Sequence, residues 1–133
     1  SAGHNIEEAF RRIIAARADV PGVCMSDRDT VVPERHFTVR ARDVQMVVRG
    51  HPMHRCEVEV ASLTNMDAAS LSERRTTLGL IQSAMASDSY EEFPELGLIM
   101  QGVSLLDYRD ASEGQQAVDL LVFTAGILST EPV

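Results

Sequence analysis

The stretch His54-Arg55-Cys56-Glu57-Val58-Glu59-Val60-Ala61-Ser62-Leu63-Thr64 decides the fold class. Cys56, Val58 and Val60 alternate with Arg55, Glu57 and Glu59, and successive side chains of an extended chain leave on opposite faces. One face is therefore apolar and the other charged, the pattern of a half-buried β-strand. The same period runs upstream from Phe37. Phe37, Val39 and Ala41 share one face, and Thr38, Arg40 and Arg42 share the other. The phase slips near Asp43, after which Val44, Met46 and Val48 alternate with Gln45, Val47 and Arg49, so a bulge or bend is expected there. With Gly50-His51-Pro52-Met53 as the turn, the two runs should pair as an antiparallel hairpin with a four-residue connection.

Before this hairpin, Ile6, Phe10, Ile13 and Ile14 recur at helical spacing, which predicts a helix over about Ile6 to Arg17. Asn5 and Glu8 have the form of a capping box, and Val20-Pro21-Gly22 ends the helix. Residues 23–36 are polar, and Val23-Cys24-Met25 offers one short edge strand in an otherwise long loop. After the hairpin, Leu71, Leu78, Ile81, Ala84 and Met85 predict a second helix over about Ala68 to Ser87, for which Asp67 and Ser70 both fit as N-cap, Ser70 with Glu73 as another capping box. Asp88 to Leu96 reads as an acidic loop. Two more strands, Leu98 to Leu106 and Gln115 to Ile127, flank the charged connection DYRDASEG as a second hairpin. Val118, Leu120, Val122 and Thr124 lie on one face of the last strand, and Asp119, Leu121 and Phe123 on the other. Apolar residues on both faces mark a central or doubly covered strand.

The expected fold is α+β, an antiparallel sheet of four to five strands with two helices packed on it, in the order α-β-β-β-α-β-β. Residues 5–128 are expected to form a single domain, with 1–4 as an expression remnant and 129–133 as a frayed tail.

Charge is divided unevenly. All 12 basic residues are Arg against 20 acids, a formal charge of −8. Residues 1–60 hold nine Arg and nine acids, whereas residues 61–133 hold three Arg and eleven acids. An acidic half repels a phosphate backbone, so sequence-specific binding to nucleic acid is not expected, although an acidic lining past which DNA slides would suit it. No apolar run is long enough for a membrane span and no secretory leader is visible. Cys24 and Cys56 lie 32 positions apart with no CxxC, which reads as reduced thiols in a cytoplasmic protein.

Chemistry-bearing patterns are sparse. His51, His54 and Cys56, with His36 upstream, are the one candidate cluster of metal ligands. Pro52 makes its geometry irregular, Cys56 leaves on the face opposite Arg55, and no second ligand pair follows, so a turn entering a strand is the better reading. There is no GxSxG elbow, no Gly-rich phosphate loop and no Trp. No catalytic residue, metal or cofactor is expected. Arg40 and Arg42 share a strand face, while Arg49 and Arg55 flank the turn. Arg on a strand face is ordinarily just solvated. A sharper reading sets Arg40, Arg42, Arg49 and Arg55 of one copy against Glu91, Glu92, Asp107 and Asp110 of the next, because head-to-tail contacts between unlike patches close into rings.

This order of elements resembles the tail terminator proteins (tail-completion, neck-type) of long-tailed phages. The resemblance rests on the short amphipathic opening helix, on HRCEVEVASLT leading to Asn65-Met66-Asp67, on the helix beginning near Asp67, and on the closing hairpin ending in LLVFTAGI. It implies a non-enzymatic structural protein of a phage or prophage. Such a protein would form a ring, of six copies for instance, that caps the tail tube and faces the head connector, assembling in the host cytoplasm and remaining in the virion tail. Other neck and head–tail joining proteins match the pattern about as well. Two alternatives come from other classes: an acidic chaperone of the type III secretion kind, and a small-molecule enzyme with His54 or Asp119 as base.

Overall fold

The computed structural model of the chain describes residues 2–25, 32–47 and 49–129. In chain order the elements are helix α1 (Ala2–Ala15), strands β1 (Val23–Cys24), β2 (Arg35–Met46) and β3 (Met53–Asn65), helix α2 (Leu71–Ser87), strand β4 (Glu92–Phe93), a 3-10 turn (Pro94–Leu96), and strands β5 (Leu98–Asp110) and β6 (Gln116–Ser129). They form a six-stranded sheet in the order β1-β2-β3-β6-β5-β4. Among the described residues only the β1–β2 pairing is parallel. The α+β class stands, but the sheet has six strands rather than four to five. The additional strand is β4, which pairs Glu92 and Phe93 with Ile99 and Leu98 and is too short for periodicity to reveal.

The core follows from the alternation in β3. His54, Cys56, Val58, Val60, Ser62 and Thr64 pair with Ile127, Ala125, Phe123, Leu121, Asp119 and Ala117 of β6, and all twelve are buried under the helices. Helix α1 lays Ile6, Phe10, Ile13 and Ile14 on this face, and α2 lays Leu78, Ile81, Ala84 and Met85 beside them. β6 is thus a central strand, as its two apolar faces imply. Asp43 has φ +52° at the register shift between Arg42 and Gln45, which is the expected bulge.

Several boundaries move. Helix α1 starts at Ala2, so Asn5 sits inside it and is no N-cap; its Nδ2 donates instead to the Leu96 carbonyl at 3.1 Å. Helix α2 starts one residue after its cap, where the Ser70 hydroxyl accepts from the Glu73 amide at 3.2 Å. Leu71, at the first turn, is exposed, and Thr77 joins the buried stripe. The first hairpin's connection is longer than the expected Gly50-His51-Pro52-Met53, because β2 already ends at Met46 while β3 begins at Met53. β5 continues to Asp110, taking in half of DYRDASEG, with register shifts on either side of Gln101 and Leu106. β2 begins at Arg35, and residues 26–31 of the expected loop lie outside the described residues. The expected tail is divided: Ser129 ends β6, and 130–133 lie outside the described residues. Helix α1 ends at Ala15 rather than near Arg17, and Gly22 is required where the chain enters β1. At φ +116° a β-carbon would sit 2.9 Å from the Phe37 ring and 3.2 Å from the Arg35 carbonyl oxygen.

Candidate assembly surface

Both helices cover one face of the sheet, and no described helix covers the other. On that open face the register lays out rows across four strands. One row is Arg40, Glu59, Val122, Asp107; its neighbours are Arg42, Glu57, Thr124, Ser104 and Thr38, Ala61, Leu120, Arg109. The Arg pair therefore faces a Glu pair on the adjoining strand, and Arg42 Nη1 reaches Glu59 Oε1 at 3.1 Å. Asp107 is gripped by Arg109 at 2.8 Å, and that hydrogen bond holds its carboxyl below the usual range. Cross-strand pairs of opposite charge stabilise a sheet modestly. They also leave the face close to neutral, which a row of arginines alone would not.

The sheet ends in two long edges. Beyond Phe37 no described strand lies along β2, and beyond Ile99 none lies along β5. An unpaired edge invites strand addition unless it is blunted. Here side chains blunt it: the Ala41 amide donates to the Glu7 carboxylate at 2.9 Å, and the Tyr108 amide to the Asp107 carboxylate at 2.9 Å. The Ser89 hydroxyl also donates to the Val103 carbonyl at 3.4 Å. The side chains of these edges remain available. Leu105, Leu106 and Tyr108 are 43, 57 and 45% exposed along β5, and Arg40, Arg42 and Met46 are exposed along β2.

The eight residues singled out from the sequence are distributed unequally. Arg40, Arg42, Arg55 and Asp107 share the open face, and Arg49 lies in the turn of the first hairpin. Asp110 ends β5 on the helix side, where Ser112 donates to it and Arg74 stands at 3.8 Å. Glu91 and Glu92 sit at the far margin, on or beside β4. No single surface holds all eight.

No protein-family model and no curated protein sequence matches this chain. The fold is similar to that of a chain in the virion of a native gene transfer agent (GTA) particle, with a TM-score of 0.71 and 12% identity over 94% of each chain. The likeness is one of fold.

Other groups that could carry chemistry are already engaged. Asp119, 3% exposed, accepts Arg74 Nε and Nη2 at 2.9 and 3.0 Å and the Tyr108 hydroxyl at 2.7 Å. An ion-paired carboxylate of this kind fastens α2 to the second hairpin and is poorly placed as a base. The sequence carried a signal for it, since Asp119 falls in phase with Leu121, Phe123 and Ala125 on the buried face. Burial, reinforced by the bond to Asp119, pushes the Tyr108 hydroxyl up to about 12. A spectrophotometric titration should therefore show one tyrosine ionising near 12, and Asp119→Asn should bring that step down toward the ordinary value near 10. Two steps that both stay at the ordinary value would show that the cluster is not formed in solution.

A cleft of about 360 Å³ lies between the end of α1 and the first half of α2, lined in part by Asp19, Arg35, Glu73 and Thr76. An Arg35–Glu73 ion pair at 2.9 Å spans it, and neither His54 nor Asp119 lines it. His54 is buried with Nδ1 2.9 Å from the Pro52 carbonyl, and its Nε2 has no partner among the described residues. His36 Nδ1 lies 2.9 Å from the Pro33 carbonyl, and Cys56 is a buried free thiol pushed up to about 11 by desolvation. Among the described residues no three His, Cys, Asp or Glu side chains converge where a metal ion could sit.

Proposed function

We propose that this chain is a non-enzymatic structural virion protein of the tail terminator type. It forms a ring that caps the tail tube of a phage or phage-like particle and joins it to the head. In this reading the copies assemble in the host cytoplasm and stay in the virion tail, with tail-tube and head-connector proteins as partners. The observation that carries the reading is the fold likeness, over 94% of both chains, to a chain of a gene transfer agent virion. A second feature supports it. A head-to-tail ring needs two different surfaces on opposite sides of one subunit, and the long edges of the sheet, one bearing Arg40 and Arg42 and the other the Asp107–Arg109 ion pair, lie three strand spacings apart, about 14 Å. The surplus of acids in residues 61–133 would suit a channel that DNA passes without sticking.

The test is mass in solution by light scattering over a wide concentration range, at low and high salt, with negative-stain images of the largest species. The expected result is a discrete oligomer larger than a dimer that dissociates as salt screens the exposed charges. A single-chain mass under every condition would sink the ring.

A further inference from the structure

We propose that the β2 edge is held shut by a guard built into the fold: Glu7 of α1 occupies the Ala41 amide, and the bulge at Asp43 breaks the row of backbone groups beyond it. The edge is thereby barred from strand addition, and copies that associate do so through other surfaces. The guard does not depend on the ring.

β2 is 12 residues long, and β1 pairs only with its His36 and Phe37. An edge of that length ordinarily invites another strand. Ahead of the bulge its odd-numbered residues turn their backbone groups outward. The Phe37 carbonyl accepts from the Met25 amide at 2.8 Å, and the Ala41 amide donates to Glu7 at 2.9 Å. Beyond the bulge the parity reverses, because the Val47 amide turns inward to the Met53 carbonyl at 3.0 Å. An added strand needs outward groups at every second residue, so it meets a break at Asp43.

Helix α1 covers the stretch that leads into this break. Gly3 and Glu7 lie one turn apart on the same helix face. Glu7 reaches Ala41, and a β-carbon on Gly3 would sit 3.9 Å from Val44 Cγ2. The helix is anchored against the edge. Ile6 and Phe10, on either side of Glu7, are fully buried, while Asn5 and Arg12 tie α1 to the Leu96 carbonyl and to Glu95.

Asp43 supplies the second half of the guard through backbone strain. Among the described residues it alone of the non-glycines has a positive φ, at +52°, a region that residues with a β-carbon adopt rarely. Its side chain is exposed, and a charge at an edge bulge opposes pairing as the bulge itself does.

The test uses the full chain, with hydrogen exchange read at Ala41 and Val58 and association read by light scattering and thioflavin T. Glu7→Ala keeps a helix-favouring residue and frees the amide. Exchange at Ala41 should quicken roughly tenfold or more while Val58 stays as in wild type, and thioflavin-positive association should begin at a lower concentration. Glu7→Gln retains a carbonyl acceptor and should behave close to wild type. Asp43→Gly keeps the bulge without the strain, so it should unfold at no lower urea concentration than wild type. Asp43→Val disfavours the positive φ, and combined with Glu7→Ala it should associate at a lower concentration than Glu7→Ala alone. Equal protection at Ala41 and equal solubility in Glu7→Ala would overturn the guard. So would a wild-type oligomer whose assembly itself slows exchange at Ala41, because the edge would then be in use while the ring stands. A lower urea midpoint for Asp43→Gly would mean that Asp43 is not held at positive φ, and the second half of the guard would fall.

Discussion

Arg74→Met is expected to cost about 3–5 kcal/mol of folding stability, the usual penalty for removing one partner of a buried ion pair. The guanidinium makes a two-pronged contact with Asp119 and a further bond to the Ser112 hydroxyl at 3.3 Å, while the carboxylate lies almost wholly out of water. Methionine fills most of the arginine's path along α2 but leaves Asp119 with only the Tyr108 hydroxyl. Set against a total stability of about 5–15 kcal/mol, that is a large share. For a chain of this length it corresponds to a fall in Tm of roughly 10 °C or more.

A second substitution identifies the cause of the loss. Arg74→Met with Asp119→Leu should recover most of the loss at neutral pH, since replacing both members of a buried pair with apolar groups is often neutral. Urea melts of the single and double variants decide the matter. A loss under about 1 kcal/mol for Arg74→Met would mean that water reaches the pair and the network is ornamental.

Alternation and capping chemistry carry most of this fold, and their limits explain what was missed. β3 is legible because a strand buried on one face shows a strict period of two, and Asp43 is legible because a bulge breaks that period. Ser70 caps α2 as its pattern implies, whereas Asn5 matches the same pattern and does not cap. The difference is where the helix begins: α1 starts at Ala2, so Asn5 lies inside it, and its Nδ2 is left to donate to the Leu96 carbonyl. β4 and the extension of β5 through Asp110 depend on neighbouring strands and on bulges, which leave no periodic trace.

The surface was partly legible for a related reason. Arg40 and Arg42 share a polar face, and Glu57 and Glu59 share the polar face of the next strand, so a hairpin register already sets one pair against the other. Read strand by strand, the arginines look unopposed; read across the hairpin, they are partly neutralised. That is why the net charge of residues 1–60 is zero while its exposed edge can still be basic. Asp107 and Asp110 lie three positions apart, so strand alternation sends them to opposite faces, and the bulge at Leu106 decides that Asp107 takes the open face and Asp110 the helix side.

Phe10→Ala should cost about 3–5 kcal/mol by a different route, with little dependence on pH. The ring is fully buried in α1 and meets Phe123 of β6 at 6.2 Å between centroids, tilted by 53°, a favourable aromatic arrangement. Truncation removes the transfer free energy of the ring and leaves a hole between α1 and the sheet that the long strands cannot readily close. The two phenylalanines should be coupled, so that Phe10→Ala and Phe123→Ala together cost about 0.5–1.5 kcal/mol less than the sum of their separate losses. Because α1 also carries Glu7 to the Ala41 amide, loosening the helix should uncover the β2 edge. Hydrogen exchange at Ala41 should then quicken more than exchange at Val58 or Val60, in the centre of the sheet, and the variant should aggregate more readily as the blunted edge reopens. A loss below about 2 kcal/mol, with Ala41 as protected as in wild type, would show that α1 repacks around the smaller side chain instead of lifting away from the sheet.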